Sequence, residues 1–264
     1  EEQLRLHPGP SLEAEAERFR KMEHAMWLAA DTILYPSTDE TRHVRNWLAT
    51  RGGSAEAETI PLYAYDPLSD DGVPGPVGRR DILFVAGFAH PPNVDAARWF
   101  VAEVLPLVRA SVPGIRVTLV GSNPHVDVLA LAGEGVEVTG YVSDERLATY
   151  YRSARVAVAP LRFGGGVKGK VLESLRFGVP CVTTSTGLQG LDDASGFMQA
   201  SDDARAFADQ VIRLLGDDDQ WDRVSQMSRE FIADHYSPEA LWRTLSKAIA
   251  PAERIFAGTG RPGR

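Results

Sequence analysis

RVAVAPLRFGGGVKGKVLESLRFGVPCVTT, residues 155–184, decides how the chain folds. It opens on a Val/Ala run suited to a buried strand and closes on a second apolar run, residues 180–184. Between them lie three consecutive glycines, Gly164, Gly165 and Gly166, and a helical segment in which Val171, Leu172 and Leu175 share one face. Strand, loop, helix and strand form the repeating unit of a parallel sheet, because parallel neighbours need a crossover between them.

The same alternation runs outward in both directions. Residues 82–86, 116–120 and 136–139 read as earlier strands and residues 197–200 as a later one. NVDAARWFVAEVLPLVRASV (93–112) repeats its apolar residues at helical spacing with Asn93 as the N-cap. DERLATYYRSA, KVLESLRFG and DARAFADQVIRLLG supply further crossovers, the last ending on Gly216. The expected fold is α/β: a doubly wound, parallel, Rossmann-like sheet of strand order 3-2-1-4-5-6, preceded by an incomplete N-terminal α/β segment. That segment, residues 1–66, reads as helix (12–30), strand (TILYPS), helix (TDETRHVRNWLATRG) and strand (ETIPLYAY). Two strands are marginal alone, so something else must cover them. Residues 67–80 read as a Pro/Gly/Asp linker, 81–236 as the ligand-binding domain, and 237–264 as a C-terminal helix with a mobile tail.

Composition narrows the function. The 264 residues carry 28 Lys and Arg against 36 Asp and Glu, a net charge of −8, which disfavours nucleic acid as a partner. Hydrophobic residues at 44% suffice for a core. One cysteine excludes an internal disulfide and fits a cytoplasmic protein, and no apolar run reaches membrane-spanning length. Beginning on Glu1, the chain reads as a piece of something longer.

In a doubly wound sheet, ligands bind where the winding reverses, at the carboxyl ends of the first and fourth strands. GFAHPPN follows the first and LRFGGGVKGK the fourth. The glycines permit close backbone approach, and the helix beyond them offers amide N–H groups to a phosphate. Arg162, Lys168 and Lys170 add positive charge that matches a diphosphate. Glu173, one turn past Lys170, suits a ribose diol. Each feature has a plainer alternative, such as a solvated lysine or a glutamate favoured by the helix dipole; their coincidence at the switch point supports a nucleoside diphosphate site. The segment is not a Walker A loop, which needs Gly-Lys-Ser/Thr after its second glycine, and the first strand is not followed by GxGxxG.

These residues resemble the C-terminal, donor-binding domain of GT-B glycosyltransferases of the family 4 or group 1 kind. GFAHPPNVDAARWF, VTLVGSNP, the continuous stretch from VEVTGYVSDERL to TTSTGLQGL, and HYSPEALW carry the resemblance over about residues 81–236. The resemblance implies a nucleotide sugar donor, ribose contact by Glu173, pyrophosphate contact through the backbones of Gly165, Gly166 and Val167, and a nucleobase wall at Gly140, Tyr141 and Val142. It implies a sugar-facing loop at Thr183, Thr184, Ser185 and Gly187, and metal-independent transfer with retention to a saccharide or lipid-linked acceptor. Two departures stand out. Gly165 occupies the place of the family's first glutamate, and the usual Arg and Lys after the first strand are replaced by the 88–93 region, which leaves Lys168 and Lys170 to neutralise phosphate.

Gly87, Phe88 and His90 are candidates for sugar or phosphate contact, with an exposed loop histidine as the alternative for His90. The paired aspartates 192/193, 202/203 and 217–219 fall where helix capping explains them, and no Cys/His spacing implies a protein metal site. Cys181 reads as core, and the five tryptophans as packing residues, with Trp27 and Trp47 open to a missing domain. No cofactor is expected beyond the donor itself. The expected activity is hexosyl or deoxyhexosyl transfer in polysaccharide biosynthesis, in the cytoplasm or peripheral to the membrane through missing parts, with the isolated chain turning over poorly. The alternatives are a noncatalytic nucleotide-sugar-binding module and, more remotely, a UDP-sugar epimerase.

Overall fold

The computed structural model describes residues 9–66, 68 and 74–258; most of the expected linker's first half and the tail at 259–264 lie outside the described residues. The chain divides into two units, Glu1–Asp66 with Asp234–Arg264, and Pro67–Ala233.

In the first unit, α1 (Pro10–Ala29) begins with proline in its first turn, where no backbone donor is needed. β1 (Thr32–Tyr35) leads to α2 (Thr38–Arg51), whose cap Ser37 accepts from the Glu40 N–H while its hydroxyl donates to the Glu40 carboxylate. β2 (Glu56–Thr59) then pairs parallel to β1. Its pairing ends at Thr59, several residues before the expected end of ETIPLYAY; Pro61 in that stretch has no N–H for a ladder. Trp27, Ile33, Val44, Leu48 and Ala57 form the core, with Trp47 packed against it, so both tryptophans have partners within the unit.

The second unit is one parallel sheet wrapped by helices. Its elements are β3 (Arg80–Val85), α3 (Pro91–Trp99), a π-helical turn over Phe100–Val104, α4 (Leu105–Ser111), β4 (Val117–Val120), α5 (Val126–Leu129) and β5 (Val136–Gly140). They continue as α6 (Asp144–Ser153), β6 (Ala154–Ala159), α7 (Gly169–Arg176), β7 (Cys181–Thr183), α8 (Ser185–Leu188), a 3-10 turn over Asp192–Gly196, α9 (Ala204–Gly216) and α10 (Asp218–His235). The wide turn precedes Pro106, which cannot donate to the carbonyl four residues back and whose ring crowds it.

The strand order is β5-β4-β3-β6-β7, all parallel. This is the expected order 3-2-1-4-5, and the winding reverses between β3 and β6. The sixth strand is reduced to a single bridge between Ala200 and Thr183, because the 3-10 turn takes up the chain just before it. α11 (Pro238–Gly258) returns to the first unit and packs on β2, where the Thr32 hydroxyl donates to the Ala248 carbonyl at 3.5 Å.

Ile82, Phe84, Ala86 and Phe88 continue one alternation into the core beneath α3 and α9. A glycine holds the carboxyl ends of β3 and β4 together. A Cβ on Gly121 would sit 1.6 Å from the Ala86 carbonyl oxygen, a backbone atom that cannot swing aside. Gly121→Ala is expected to cost about 3 kcal/mol, the upper range for overpacking, read as a lowered denaturant midpoint at unchanged m-value. A midpoint equal to that of the parent would show that the two strand ends can separate freely.

Candidate functional site

Two loops meet where the winding reverses. After β3, the Gly87 carbonyl accepts the His90 N–H at 3.2 Å, and His90 caps α3 ahead of Pro91 and Pro92. The helix therefore starts two residues before the expected cap, and Asn93 stands inside it; the paired prolines were the signal for that start. After β6, the chain runs through Pro160 and Leu161 to the glycine loop, where Gly164 (φ 119°) and Gly166 (φ 74°) hold backbone conformations unfavourable to residues with a Cβ. α7 begins immediately afterwards, at Gly169.

Three ties join these loops. A Cβ on Gly164 would lie 3.6 Å from the Pro92 ring, so the glycine loop touches the first turn of α3. Arg162 clamps both oxygens of Asp95, its Nε donating at 2.8 Å. Lys170 Nζ donates to Asn93 Oδ1 at 3.0 Å, and Asn93 Nδ2 donates to the Gly87 carbonyl at 2.9 Å.

The three cations singled out in sequence thus have different surroundings. Arg162 is paired with a carboxylate on α3, which meets its charge before any phosphate arrives. Lys168 is buried and donates to the Gly164 carbonyl at 3.0 Å, to the Gly166 carbonyl, and to Gln189 Oε1 at 3.4 Å. It braces the glycine loop from within. Lys170 has a neutral partner in Asn93, and burial pulls its pKa down to about 8. Held by a neutral amide from the facing loop, its charge is left for a diphosphate at the loop junction to meet.

Glu173 lies one turn further along α7. Burial raises its pKa, opposed by the Tyr151 hydroxyl, which donates to Oε2 at 2.9 Å. Tyr151 is 1% exposed and stacks on Phe177, with ring centroids 4.8 Å apart. The glutamate is thereby oriented from beneath, an arrangement suited to accepting hydrogen bonds from a diol. Gly165 is exposed and Val167 half-buried on the same loop, and Gly87 and His90 are exposed across from it. Beyond β5, Gly140 (φ 72°) makes the turn that leaves Tyr141 79% exposed and Val142 half-buried.

Two expected contacts are corrected. Phe88 is fully buried, its ring edge-on to Phe84 at 5.4 Å, because it prolongs the inward alternation of β3 instead of joining the loop. Thr184 is also buried: its hydroxyl donates to the Leu161 carbonyl and accepts the Gly187 N–H at 3.2 Å, capping α8. Thr183 similarly ties β7 to the Ala159 carbonyl at 2.8 Å. Asp203 and Asp217 cap helices as expected, accepting the Ala206 and Gln220 N–H groups, both at 2.9 Å. A hollow of about 550 Å³ runs along the outer edge of β7 beside Cys181, Met198, Arg213 and Arg223, apart from the meeting point of the two loops.

The architecture is shared with solved GT-B glycosyltransferases. Sucrose-phosphate synthase from Thermosynechococcus elongatus superposes at a TM-score of 0.64 with 20% identity, over 89% of this chain and 61% of that one. Trehalose 6-phosphate synthase from Burkholderia multivorans gives 0.68 with 13% identity, over 91% and 62%. S. aureus TarM, solved with fondaparinux, α-GlcNAc-glycerol and UDP, gives 0.64 with 14% identity, over 83% and 44%. The fold defined here is GT-B. Residues 79–217 match the family described as glycosyl transferases group 1, and the chain belongs to that family. A Klebsiella pneumoniae protein described as an uncharacterized 44.6 kDa protein in the cps region is 25% identical over 175 residues, 63% of this chain. The chain spans 45% of that relative's length. No helix among the described residues is long and apolar enough to cross a membrane.

Proposed function

We propose that this chain is the donor-binding portion of a glycosyltransferase that takes its sugar from a nucleoside diphosphate. The observation that carries this is Lys170, a desolvated ammonium with a neutral partner at the junction of the two loops, one helical turn from the oriented carboxylate of Glu173. The diphosphate sits against the backbone of Gly165, Gly166 and Val167 and the first turn of α7, with the ribose on Glu173 and the base beside Tyr141 and Val142.

Transfer proceeds with retention at the anomeric carbon and without a metal cofactor. The leaving diphosphate gathers negative charge as the glycosidic bond breaks, and fixed N–H groups with one ammonium stabilise it there without reorganising. The acceptor is a saccharide or a lipid-linked saccharide, bound with the help of parts outside this chain. Polysaccharide assembly is the setting, supported by the cps-region relative. The protein works in the cytoplasm or at the membrane surface. With Gly165 at the place of the family's first glutamate, a binding module without turnover is the second reading.

Thermal unfolding with UDP, GDP and dTDP tests the site. A ligand at about 100 times its Kd adds about 2.7 kcal/mol, so one of the three should raise Tm by roughly 5–10 °C. No shift with any of them would reject a nucleoside diphosphate site. Donor hydrolysis or sugar transfer by the full-length protein separates the enzyme from the binding module.

A further inference from the structure

Asn93 belongs to none of the phosphate, ribose or base contacts above, yet it is buried and bridges the two loops. Its amide has two partners of opposite demand. The Gly87 carbonyl only accepts and the Lys170 ammonium only donates, so one orientation of the amide satisfies both. The Gly87 carbonyl is itself held by the His90 N–H. A continuous chain of hydrogen bonds therefore runs from the β3 loop, through the first turn of α3, to α7.

We propose that Asn93 is a positioning residue of the diphosphate site: anchored on the Gly87 carbonyl, its amide oxygen holds the Lys170 ammonium at the loop junction without neutralising it. This inference rests on the diphosphate reading given above. The neighbouring pair shows why the amide matters. Asp95 neutralises Arg162, and an aspartate at 93 would do the same to Lys170 while turning an acceptor toward the Gly87 carbonyl. An apolar residue would release the ammonium to seek loop carbonyls, as Lys168 does. Only a neutral tether leaves the charge both placed and uncompensated.

The other titratable groups on the surrounding elements are His90, Asp95 and Arg98 from α3 and its cap, Arg162 and Lys168 from the glycine loop, Glu173 and Arg176 on α7, and Cys181 on β7; Arg98 is paired with Asp127 and Arg176 lies over the Phe177 ring. Asp95 is engaged by Arg162, and burial pushes the Cys181 thiol up to about 12, so it is neutral. Lys170, drawn down to about 8 by burial, should hold its proton more tightly once a diphosphate lies beside it. Binding at pH 9 should therefore take up nearly one proton, and binding at pH 7 almost none.

The test is calorimetry in buffers of different ionisation enthalpy, using whichever of UDP, GDP and dTDP the wild-type chain binds most tightly. Asn93→Asp should lose most of the uptake at pH 9 and weaken binding at pH 7 by about tenfold. Asn93→Ala should keep the uptake but weaken binding by about fivefold, since the charge remains and only its placement is lost. Wild-type uptake in Asn93→Asp, or wild-type affinity in Asn93→Ala, would overturn the inference while leaving the diphosphate site standing. Should Asn93→Asp fail to fold, the affinity of Asn93→Ala decides by itself. Absence of binding by the wild-type chain would overturn both.

Discussion

Trp221→Ala is expected to destabilise the Pro67–Ala233 unit by about 4 kcal/mol, close to a thousandfold in its folding equilibrium. Trp221 is 1% exposed, and its indole N–H donates to the Arg155 carbonyl at 2.6 Å. The ring lies against two buried guanidinium groups, Arg79 at 4.9 Å and Arg155 at 5.8 Å from its centroid. Asp218 accepts from Arg155 at 2.6 Å, whereas the hydrogen-bond partners of Arg79 are neutral. Arg79 is held by the carbonyls of Pro74, Tyr151 and Ala154, and its Nη2 has no hydrogen-bond partner among the described residues. Burial, aided by Arg155, draws the Arg79 pKa down to about 10, so it stays charged at neutral pH.

The indole face supplies part of what that missing carboxylate would give. Removing it opens a cavity and leaves both guanidiniums with less compensation, two losses of the same sign. At roughly 2–4 °C per kcal/mol for a unit of this size, calorimetry should show Tm lowered by about 8–16 °C. Trp221→Phe keeps a face but not the N–H and should lose about a third as much. A fall under about 3 °C for the alanine variant would show that the paired arginines do not depend on the ring.

Lys170→Met should move stability and binding in opposite directions. In the folded chain Lys170 holds its proton less tightly than in the unfolded chain, because burial takes it from 10.5 to about 8. Wherever both states are protonated, below about pH 8, the buried ammonium costs stability; between about pH 8 and 10.5 that cost is relieved as the folded lysine loses its proton first. Methionine has similar length and no charge, so the variant should be more stable than wild type by about 1 kcal/mol at pH 7, with the margin closing as pH rises toward 10.5. Nucleoside diphosphate affinity should fall by about 10- to 100-fold, the weight of a charge-assisted hydrogen bond. Equal affinity in the two proteins at pH 7 would remove Lys170 from the site.

Much of the second unit was legible because a strand buried on both faces is written as a continuous apolar run. Val156 to Ala159 and Val117 to Val120 could hardly be anything else. The glycine loop and the Pro-rich loop were visible for a similar reason, since few other local structures need such residues. The partners of the cations were not visible. Asp95 is 67 residues from Arg162 and Asn93 is 77 from Lys170, and no local pattern joins them. Which ammonium keeps an uncompensated charge is settled only when the loops meet. Phe88 was a different kind of miss: Ile82, Phe84, Ala86 and Phe88 carry the alternation of a strand past its last paired residue, Val85, and the glycine between the last two disguised it. Phe197 to Ala200 erred the other way, with strand-like composition but only Ala200 left to pair.

The helix that closes the chain belongs with the residues that open it, so in sequence the sheet-bearing unit is a guest inserted into a host. The guest's ends fall near 67 and 233, the second within the last turn of α10 (Asp218–His235), so exchange or independent expression should carry that helix through to His235. The host has no such autonomy: a fragment stopping at Asp66 would surrender the helix that rests on β2.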